Sequence, residues 1–284
     1  MTITTTTTTA RPASPSPADA APRHLRPTAV ARSEWIKLRS VRSTWWTLVA
    51  MAALTVGIAA IAGATIPGRW ASMSALDRLT FDPTHVSLQG LLFAELVIGV
   101  LGVLVMSAEY GTGTIRATLA AVPDRPLVLA AKAGVFAAVA LVVGEVLSFA
   151  AFFVGQTLLT APALHATLGA PGVLRAVVGG GLTVAVLGLL ALGLATVIRH
   201  TAGAITAFVG LLLVLPIVIQ ALPTSINQAI GKFLPLNIGD TMITVHHSAL
   251  SSPALSPWTG FAVLCAYAAV ALGAGGWMLT HRDA

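Results

Sequence analysis

Six long apolar runs limit this 284-residue chain to a small set of folds. They cover about residues 45–66, 87–107, 128–157, 174–197, 203–222 and 257–279. An α-helix crosses the hydrocarbon core of a bilayer with about 20 apolar residues, so each run can form one span. Only 9% of the residues are charged and 56% are hydrophobic. A soluble fold needs enough polar residues to cover its surface, and this composition does not supply them. The sequence therefore predicts an all-α polytopic membrane protein with six transmembrane helices.

Features within the runs predict how the helices pack. The third run exceeds one span, so we expect it to tilt or to extend past the membrane. Gly179–Gly181 and the many other small residues favour close contact between helices. Pro216 should kink the fifth span, because proline cannot donate a backbone hydrogen bond.

The residues before the first run divide into two segments. Residues 1–28 are rich in Thr, Pro, Ala and Ser and predict a disordered cytoplasmic tail. Residues 29–43 predict an interfacial helix, with Val30, Leu38, Val41 and Trp45 on one side and Glu34 interrupting that stripe. Its basic side chains can reach lipid phosphates and its tryptophans suit the headgroup layer. The alternative is an ordinary basic flank of the first span.

The distribution of basic residues predicts the orientation of the chain. With the N-terminus inside, only Arg69, Arg78, Arg175 and Lys232 of the 16 Lys and Arg residues lie outside, which leaves twelve inside. The positive-inside rule thus predicts that both termini are cytoplasmic. Because the basic residues lie beside the apolar runs, we interpret the net charge of +6 as a membrane signal. No nucleic-acid partner is expected.

A polar island, Glu109–Arg116, separates the second run from the third. Gly111 and Gly113 allow the backbone to turn, and Thr112 or Thr114 can cap a new helix. Ile115, Leu119 and Val122 then recur on one helical face, and Pro123 ends it. The pattern predicts a turn and a short helix across the cytoplasmic surface, suited to docking on a partner. The alternative is an ordinary connecting loop.

Two carboxylates, Glu95 and Glu145, fall inside the second and third runs. A charge at membrane depth costs about 2.5–3.5 kcal/mol even on insertion scales, so such residues are functional candidates. They could line a path for a cationic or amphipathic cargo. The alternative is a protonated or hydrogen-bonded glutamic acid that holds two helices together.

Motifs for several kinds of chemistry are missing from the sequence. It contains no G-x-x-x-x-G-K-[ST] phosphate loop, no H-E-x-x-H and no G-x-S-x-G. Its single cysteine, Cys265, excludes an internal disulfide and lies within an apolar run. We therefore expect no enzyme, no metal site and no cofactor within this chain.

Three segments resemble the permease subunit of an ATP-binding cassette (ABC) transporter of the type 2 exporter class. The first is Ser33–Ser40, before the first run. The second is Ser107–Arg116 at the end of the second run, together with Pro123, Arg125 and Lys132. The third is Gly193–Ala204, between the fourth and fifth runs. The Glu-Tyr-Gly-Thr-Gly-Thr-Ile-Arg island is the most specific of these. The resemblance extends over about residues 30–282.

The resemblance implies a division of labour between subunits. Residues 44–284 would form the six-span permease domain, and the helix at 114–122 would be the coupling helix on a separate ATPase that binds ATP and Mg. The outer segment 223–257, with Ile226, Ile230 and Phe233, would hold short re-entrant helices. Two permease copies or siblings in the plasma membrane would export an unidentified substrate. The rival is a proton-coupled secondary transporter that uses Glu95 and Glu145.

The resemblance also assigns candidate site residues. The ATPase-coupling loop comprises Glu109, Tyr110, Gly111, Thr112, Gly113, Thr114, Ile115, Arg116, Leu119, Pro123, Arg125 and Lys132. The interfacial helix contributes Glu34, Trp35, Lys37 and Arg39.

Overall fold

The computed structural model describes residues 26–160, 165–246 and 254–281. Most of the predicted tail, residues 1–28, lies outside the described residues. In the described part the chain is helical without a strand. The α-helices are, in chain order, α1 (Pro27–Ser40), α2 (Arg42–Arg69), α3 (Ala75–Leu79), α4 (Pro83–Leu88), α5 (Leu91–Gly111), α6 (Thr114–Ala121), α7 (Arg125–Leu158), α8 (Val173–Ile198), α9 (Thr201–Val209), α10 (Leu215–Gln220), α11 (Thr224–Ile230), α12 (Pro235–Ile243) and α13 (Pro257–His281).

Six helical segments in the described residues are long and apolar enough to cross a membrane, which confirms the predicted fold class. They are Arg42–Ser72, Pro83–Gly111, Arg125–Leu158, Val173–Ile198, Thr201–Gln220 and Pro257–His281. The third is the longest, as its apolar run predicts. Most segments extend beyond the predicted bounds because polar residues at their ends continue the helix.

The segment before the first span is helical but ends earlier than expected. Val41 adopts an extended conformation, with φ −85° and ψ 112°, and separates α1 from α2. Val41 and Trp45 are consequently not on the same face as Val30 and Leu38. They are 48% and 58% exposed, whereas Val30 and Leu38 are buried. The predicted four-residue stripe is therefore wrong in its second half.

Helix α8 is the centre of the bundle and packs against α5, α7, α12 and α13. Its three consecutive glycines allow three different close approaches. A Cβ on Gly179 would lie 2.7 Å from Met242 of α12, and one on Gly180 would lie 2.5 Å from Leu91 of α5. A Cβ on Gly181 would overlap Glu145 of α7. The triplet thus confirms that these glycines serve close helix packing.

The fifth span is interrupted next to Pro216. A π-helical turn at Gly210–Val214 separates α9 from α10, and Pro216 lies in the first turn of α10. Pro216 has no backbone N–H, so it cannot donate the hydrogen bond that a regular α-helix would have there. The wider π-helical turn before it is the local change in geometry that accompanies this loss. The sequence prediction of an irregularity at Pro216 agrees with this geometry.

The short helices α4 and α12 meet at the end of the bundle opposite α6. Asp82 accepts hydrogen bonds from the backbone N–H of Thr84 and of Val245, at 2.9 and 2.6 Å. The Arg175 guanidinium donates to the Met242 carbonyl, which lies near the end of α12. Here Gln156, near the end of α7, donates to the Pro83 carbonyl at 3.0 Å. Charged and amide side chains therefore satisfy backbone groups that short helices leave unpaired.

Candidate functional site

Four charged side chains meet where α1, α5 and α7 converge. Glu34 and Lys37 come from α1, Glu109 from α5 and Lys132 from α7. The Lys132 ammonium donates to Glu34 at 2.5 Å and to Glu109 at 2.8 Å. The Lys37 ammonium donates to the same two carboxylates, at 2.7 and 2.9 Å. We call these four residues the charge cluster.

The charge cluster is neutral in sum and largely hidden from solvent. The side chains of Lys132 and Glu34 are only 2% and 3% exposed, and that of Glu109 is 10% exposed. Buried charges of this kind are tolerated because each meets an opposite charge with good hydrogen-bond geometry. Two spans and helix α1 are therefore joined by ion pairs across long sequence separations.

Lys37 is the most accessible member of the charge cluster, with a side chain that is 43% exposed. Burial by itself would lower the pKa of its ammonium group. The hydrogen bonds to Glu34 and Glu109 outweigh that effect and raise the pKa above its usual value. Lys37 thus stays charged throughout the physiological range.

These contacts change three expectations for single residues. Glu34 does not weaken the apolar face of α1, because that face is turned inward and Glu34 finds Lys132 there. Lys132 does not extend to the lipid interface, since it is buried between two carboxylates. Lys37 bonds to protein carboxylates, where the sequence suggested a lipid phosphate. Trp35 and Arg39 remain exposed on the opposite side of α1.

The loop after α5 has the predicted turn, but its threonines act differently. Gly113 has a φ of +70° and begins α6 without a side-chain cap. The Thr112 hydroxyl donates back to the Ala108 carbonyl and lies 2.9 Å from the Thr114 hydroxyl. Neither threonine therefore caps α6. Pro123 ends the helix as predicted, with Val122 in the extended region that precedes a proline.

Helix α6 presents its apolar side to the rest of the protein. Ile115 is 3% exposed, and Leu119 and Val122 are half-buried. The sequence suggested that this side docks on a partner, but the bundle covers Ile115 almost completely and Leu119 and Val122 in part. The face left open carries Arg116, Ala117, Ala120 and Ala121. A partner can therefore approach the α6 backbone closely, since most of these side chains are small.

Two arginines tie the neighbouring helix ends together. Arg125, at the start of α7, donates to the Leu279 carbonyl of α13 at 2.6 Å. Arg199, in the left-handed conformation at the end of α8, donates to the Met278 carbonyl at 2.8 Å. The Arg199 guanidinium also lies 5.6 Å from the centre of the Tyr110 ring. Arg199 was not among the predicted site residues, although it lies within the third resembling segment.

Glu95 and Glu145 both lie inside the bundle but away from the charge cluster. Glu95 is 5% exposed, and one of its carboxylate oxygens would lie 3.0 Å from a Cβ on Gly239 of α12. Glu145 is half-buried against Gly181 of α8. Within the described residues neither side chain makes a hydrogen bond. A role in a cargo path, or as a protonated acid between two helices, therefore stays a prediction.

The fold and this site define the class as a multi-pass helical membrane protein with a short surface helix braced against its spans. The family model described as ABC-2 family transporter protein matches residues 31–219. The chain belongs to this family of ABC transporter membrane components. The match includes most of α1, the charge cluster, α6, the first four spans and all but the last residue of the fifth. No curated protein matches the chain in sequence.

Proposed function

We propose that this protein is the membrane-spanning permease subunit of an ABC exporter in the plasma membrane, with both termini cytoplasmic. A separate ATPase subunit would bind ATP and Mg and drive the spans through α6. Membership of the ABC-2 family supports the transport role. The observation that carries the coupling role is the position of α6 in the chain between α5 and α7, which are joined by the Glu109–Lys132 ion pair of the charge cluster.

The charge cluster can transmit a displacement of α6 to the membrane-spanning helices. Glu109 lies four residues before the Gly113 turn, and Lys132 lies seven residues into α7. Their ion pair holds the two helix ends together, and Glu34 and Lys37 connect α1 to both. We expect these elements to move as one body when a partner displaces α6.

A second permease copy, or a sibling permease, would complete the transport pathway. The spans differ widely in how much this chain covers them. The apolar window of α8 is 67% buried, whereas that of the first span is only 22% buried. The exposed spans can face lipid or a partner permease, and an assembly of two permeases and two ATPases would use part of this surface.

The test places a bulky side chain on the open face of α6. Ala117→Trp should block the close approach of the ATPase and abolish its co-purification, while the spans stay folded because Ala117 is exposed. Ala71→Trp, also at an exposed position but at the opposite end of the first span, is the matched control and should retain the ATPase. The measurement is co-purification with a candidate ABC ATPase expressed together with this chain, combined with permease-stimulated ATP hydrolysis.

Two results would count against the proposal. One is unchanged ATPase binding and stimulated hydrolysis in Ala117→Trp. The other is proton-dependent, ATP-independent flux by the reconstituted chain alone, which would favour a secondary transporter that uses Glu95 and Glu145.

A further inference from the structure

Two arginines connect both sides of α6 to the end of the last span. Arg125 is the first residue of α7 and donates to the Leu279 carbonyl of α13 at 2.6 Å. Arg199, at the end of α8, donates to the Met278 carbonyl at 2.8 Å, and its guanidinium lies 5.6 Å from the centre of the Tyr110 ring. Tyr110 belongs to the last turn of α5. The segments before and after α6 therefore meet at two consecutive carbonyls of one helix.

These two carbonyls belong to the last turn of α13, which ends at His281. The carbonyls of a last helical turn have no partner within their own helix, and they form its negative dipole end. A guanidinium group suits this place because it is always charged and can donate to several acceptors at once. A displacement of either arginine therefore acts directly on the backbone of α13.

The backbone of Arg199 indicates that its side chain is needed at this position. Its φ of 59° lies in the left-handed region, and within the described residues it is the one non-glycine residue with a positive φ. Glycine or asparagine usually takes this place after a helix, because other side chains raise the conformational free energy there. Strained backbone positions persist where the surrounding contacts require them, and they cluster at functional elements. The contacts with α5 and α13 are what this arginine contributes.

Helix α13 is packed closely enough against α8 to pass on such a displacement. A Cβ on Gly275 of α13 would lie 2.7 Å from Thr196 of α8. A Cβ on Gly193 of α8 would lie 2.8 Å from Ala271 of α13. Protein interiors of this density have low compressibility and transmit strain. The half of α13 that lies nearest to Arg199 is therefore held to α8 along its backbone.

The opposite half of α13 contacts the short helices at the other end of the bundle. The Tyr267 hydroxyl donates at 3.1 Å to the carbonyl of Phe233, in the turn between α11 and α12. A Cβ on Gly260 would lie 3.2 Å from Ile238 of α12. Helix α13 thus connects the end that carries α6 with the end where α12 lies against Glu95.

We propose that Arg125 and Arg199 are positioning residues that carry a displacement of α6 into α13 and, through α13, to α12. This role rests on the proposed coupling function of α6, and it adds the last span to the elements that the ATPase moves. The charge cluster joins α1, α5 and α7, whereas these arginines join α5, α7 and α8 to α13.

The experiment measures amide hydrogen exchange in the complex of this chain with a candidate ABC ATPase, with and without a non-hydrolysable ATP analogue. In the unmodified complex we expect the analogue to change exchange across α6, α13 and α12. Arg199→Asn removes the guanidinium and introduces a residue that tolerates the left-handed backbone. It should retain the ATPase and the exchange change at α6.

Across α13, the nucleotide-dependent change in Arg199→Asn should fall about fivefold or more, the low end of typical coupling between two sites. The same readout separates positioning from stability. An arginine that only stabilises the fold would alter exchange in α13 equally with and without the nucleotide.

Two further variants locate the connection. Arg78→Gln removes a guanidinium that also donates to a backbone carbonyl, that of Ala71 at 2.6 Å, and should leave every nucleotide-dependent change as it is. Tyr267→Phe removes the hydroxyl that bonds to Phe233. It should keep the change in the last turns of α13 and reduce the change in α12, and it provides a second test if Arg199→Asn does not fold.

Three results would overturn this role while the proposed function stands. The first is an exchange change at α6 with none across α13 in the unmodified complex. The second is an undiminished change across α13 in Arg199→Asn, and the third is an undiminished change in α12 in Tyr267→Phe. A complex without any nucleotide-dependent change at α6 would count against the coupling function itself, and the role of the arginines would fail with it.

Discussion

At Glu34, the inward stripe of α1 carries a carboxylate where a hydrocarbon side chain would be expected. Val30 and Leu38, four residues to either side, are buried against the bundle. Glu34 shares that face and can be buried because Lys132 reaches it from α7. The sequence signal was present, since a charged residue on an apolar stripe requires a partner. The partner is 98 residues away in sequence and could only be identified after packing.

Removing the central lysine should destabilise the protein strongly. Lys132→Met leaves Glu34 and Glu109 with one shared cation, so the charge cluster becomes negative in a buried site. We expect a loss of about 3–5 kcal/mol in the free energy of unfolding, measured by denaturation in detergent micelles. Lys232→Met, in the short turn between α11 and α12, is the matched control and should change stability by less than about 0.5 kcal/mol.

The double variant separates lost charge balance from lost packing. Glu34→Gln together with Lys132→Met leaves the neutral pair of Lys37 and Glu109. Its cost should therefore fall below the sum of the two single variants by about 0.5–3 kcal/mol. Strictly additive losses would show that the ion pairing of these residues does not contribute to stability.

At the scale of the element, α6 depends on the backbone at Gly113. Its positive φ places it in the left-handed region, which residues with a side chain adopt only at a cost in free energy. A Cβ at Gly113 would meet no atom within 4 Å, so that cost is conformational and not steric crowding. Gly111, two residues earlier, ends α5 with ordinary helical geometry and also has open space around it.

This pair of glycines provides a matched test. Gly113→Ala should weaken the start of α6 by about 1–2 kcal/mol, the cost of a left-handed conformation with a side chain. Amide hydrogen exchange across residues 114–121 should accelerate in this variant. Gly111→Ala should exchange as slowly as the unmodified chain. Equal exchange in both variants would contradict the role assigned to Gly113.

The elements differ in how far their sequence determined them. Hydropathy defined the spans because the bilayer core requires about 20 apolar residues in every helix that crosses it. Pro123 defined the end of α6 because its effect on Val122 is local. The direction of the apolar face of α6 was not determined in this way. Ile115 and Leu119 indicated such a face, but only the surrounding helices decide whether it meets the bundle or a partner.

At the scale of the whole molecule, the distribution of Lys and Arg predicts how the protein is oriented in the membrane. Contacts between helices determine the architecture of the bundle. The excess of Lys and Arg near α1 and α6 predicts that this end is cytoplasmic. The end with α11 and α12 carries fewer basic residues and should face outside. The bundle centred on α8 is compatible with either direction of insertion, so orientation requires its own measurement.

Cysteine labelling of intact cells measures the orientation. In a background where Cys265 is replaced by Ser, Ser225→Cys on α11 should react with an impermeant maleimide from outside. Ala120→Cys on α6 should react only after the membrane is permeabilised. Both positions are exposed in the structure, so accessibility within the fold does not limit either reaction. The opposite labelling pattern would invert the proposed topology.

Helix α7 has a buried polar anchor near each of its ends. Lys132 is held by two carboxylates at one end, and Gln156 is bonded to Pro83 and Ala166 at the other. At 1.5 Å per residue the anchors are about 36 Å apart along the axis. The helix can therefore act as a lever: a tilt of about 5° about Lys132 would move Gln156, and α4 to which it is bonded, about 3 Å sideways.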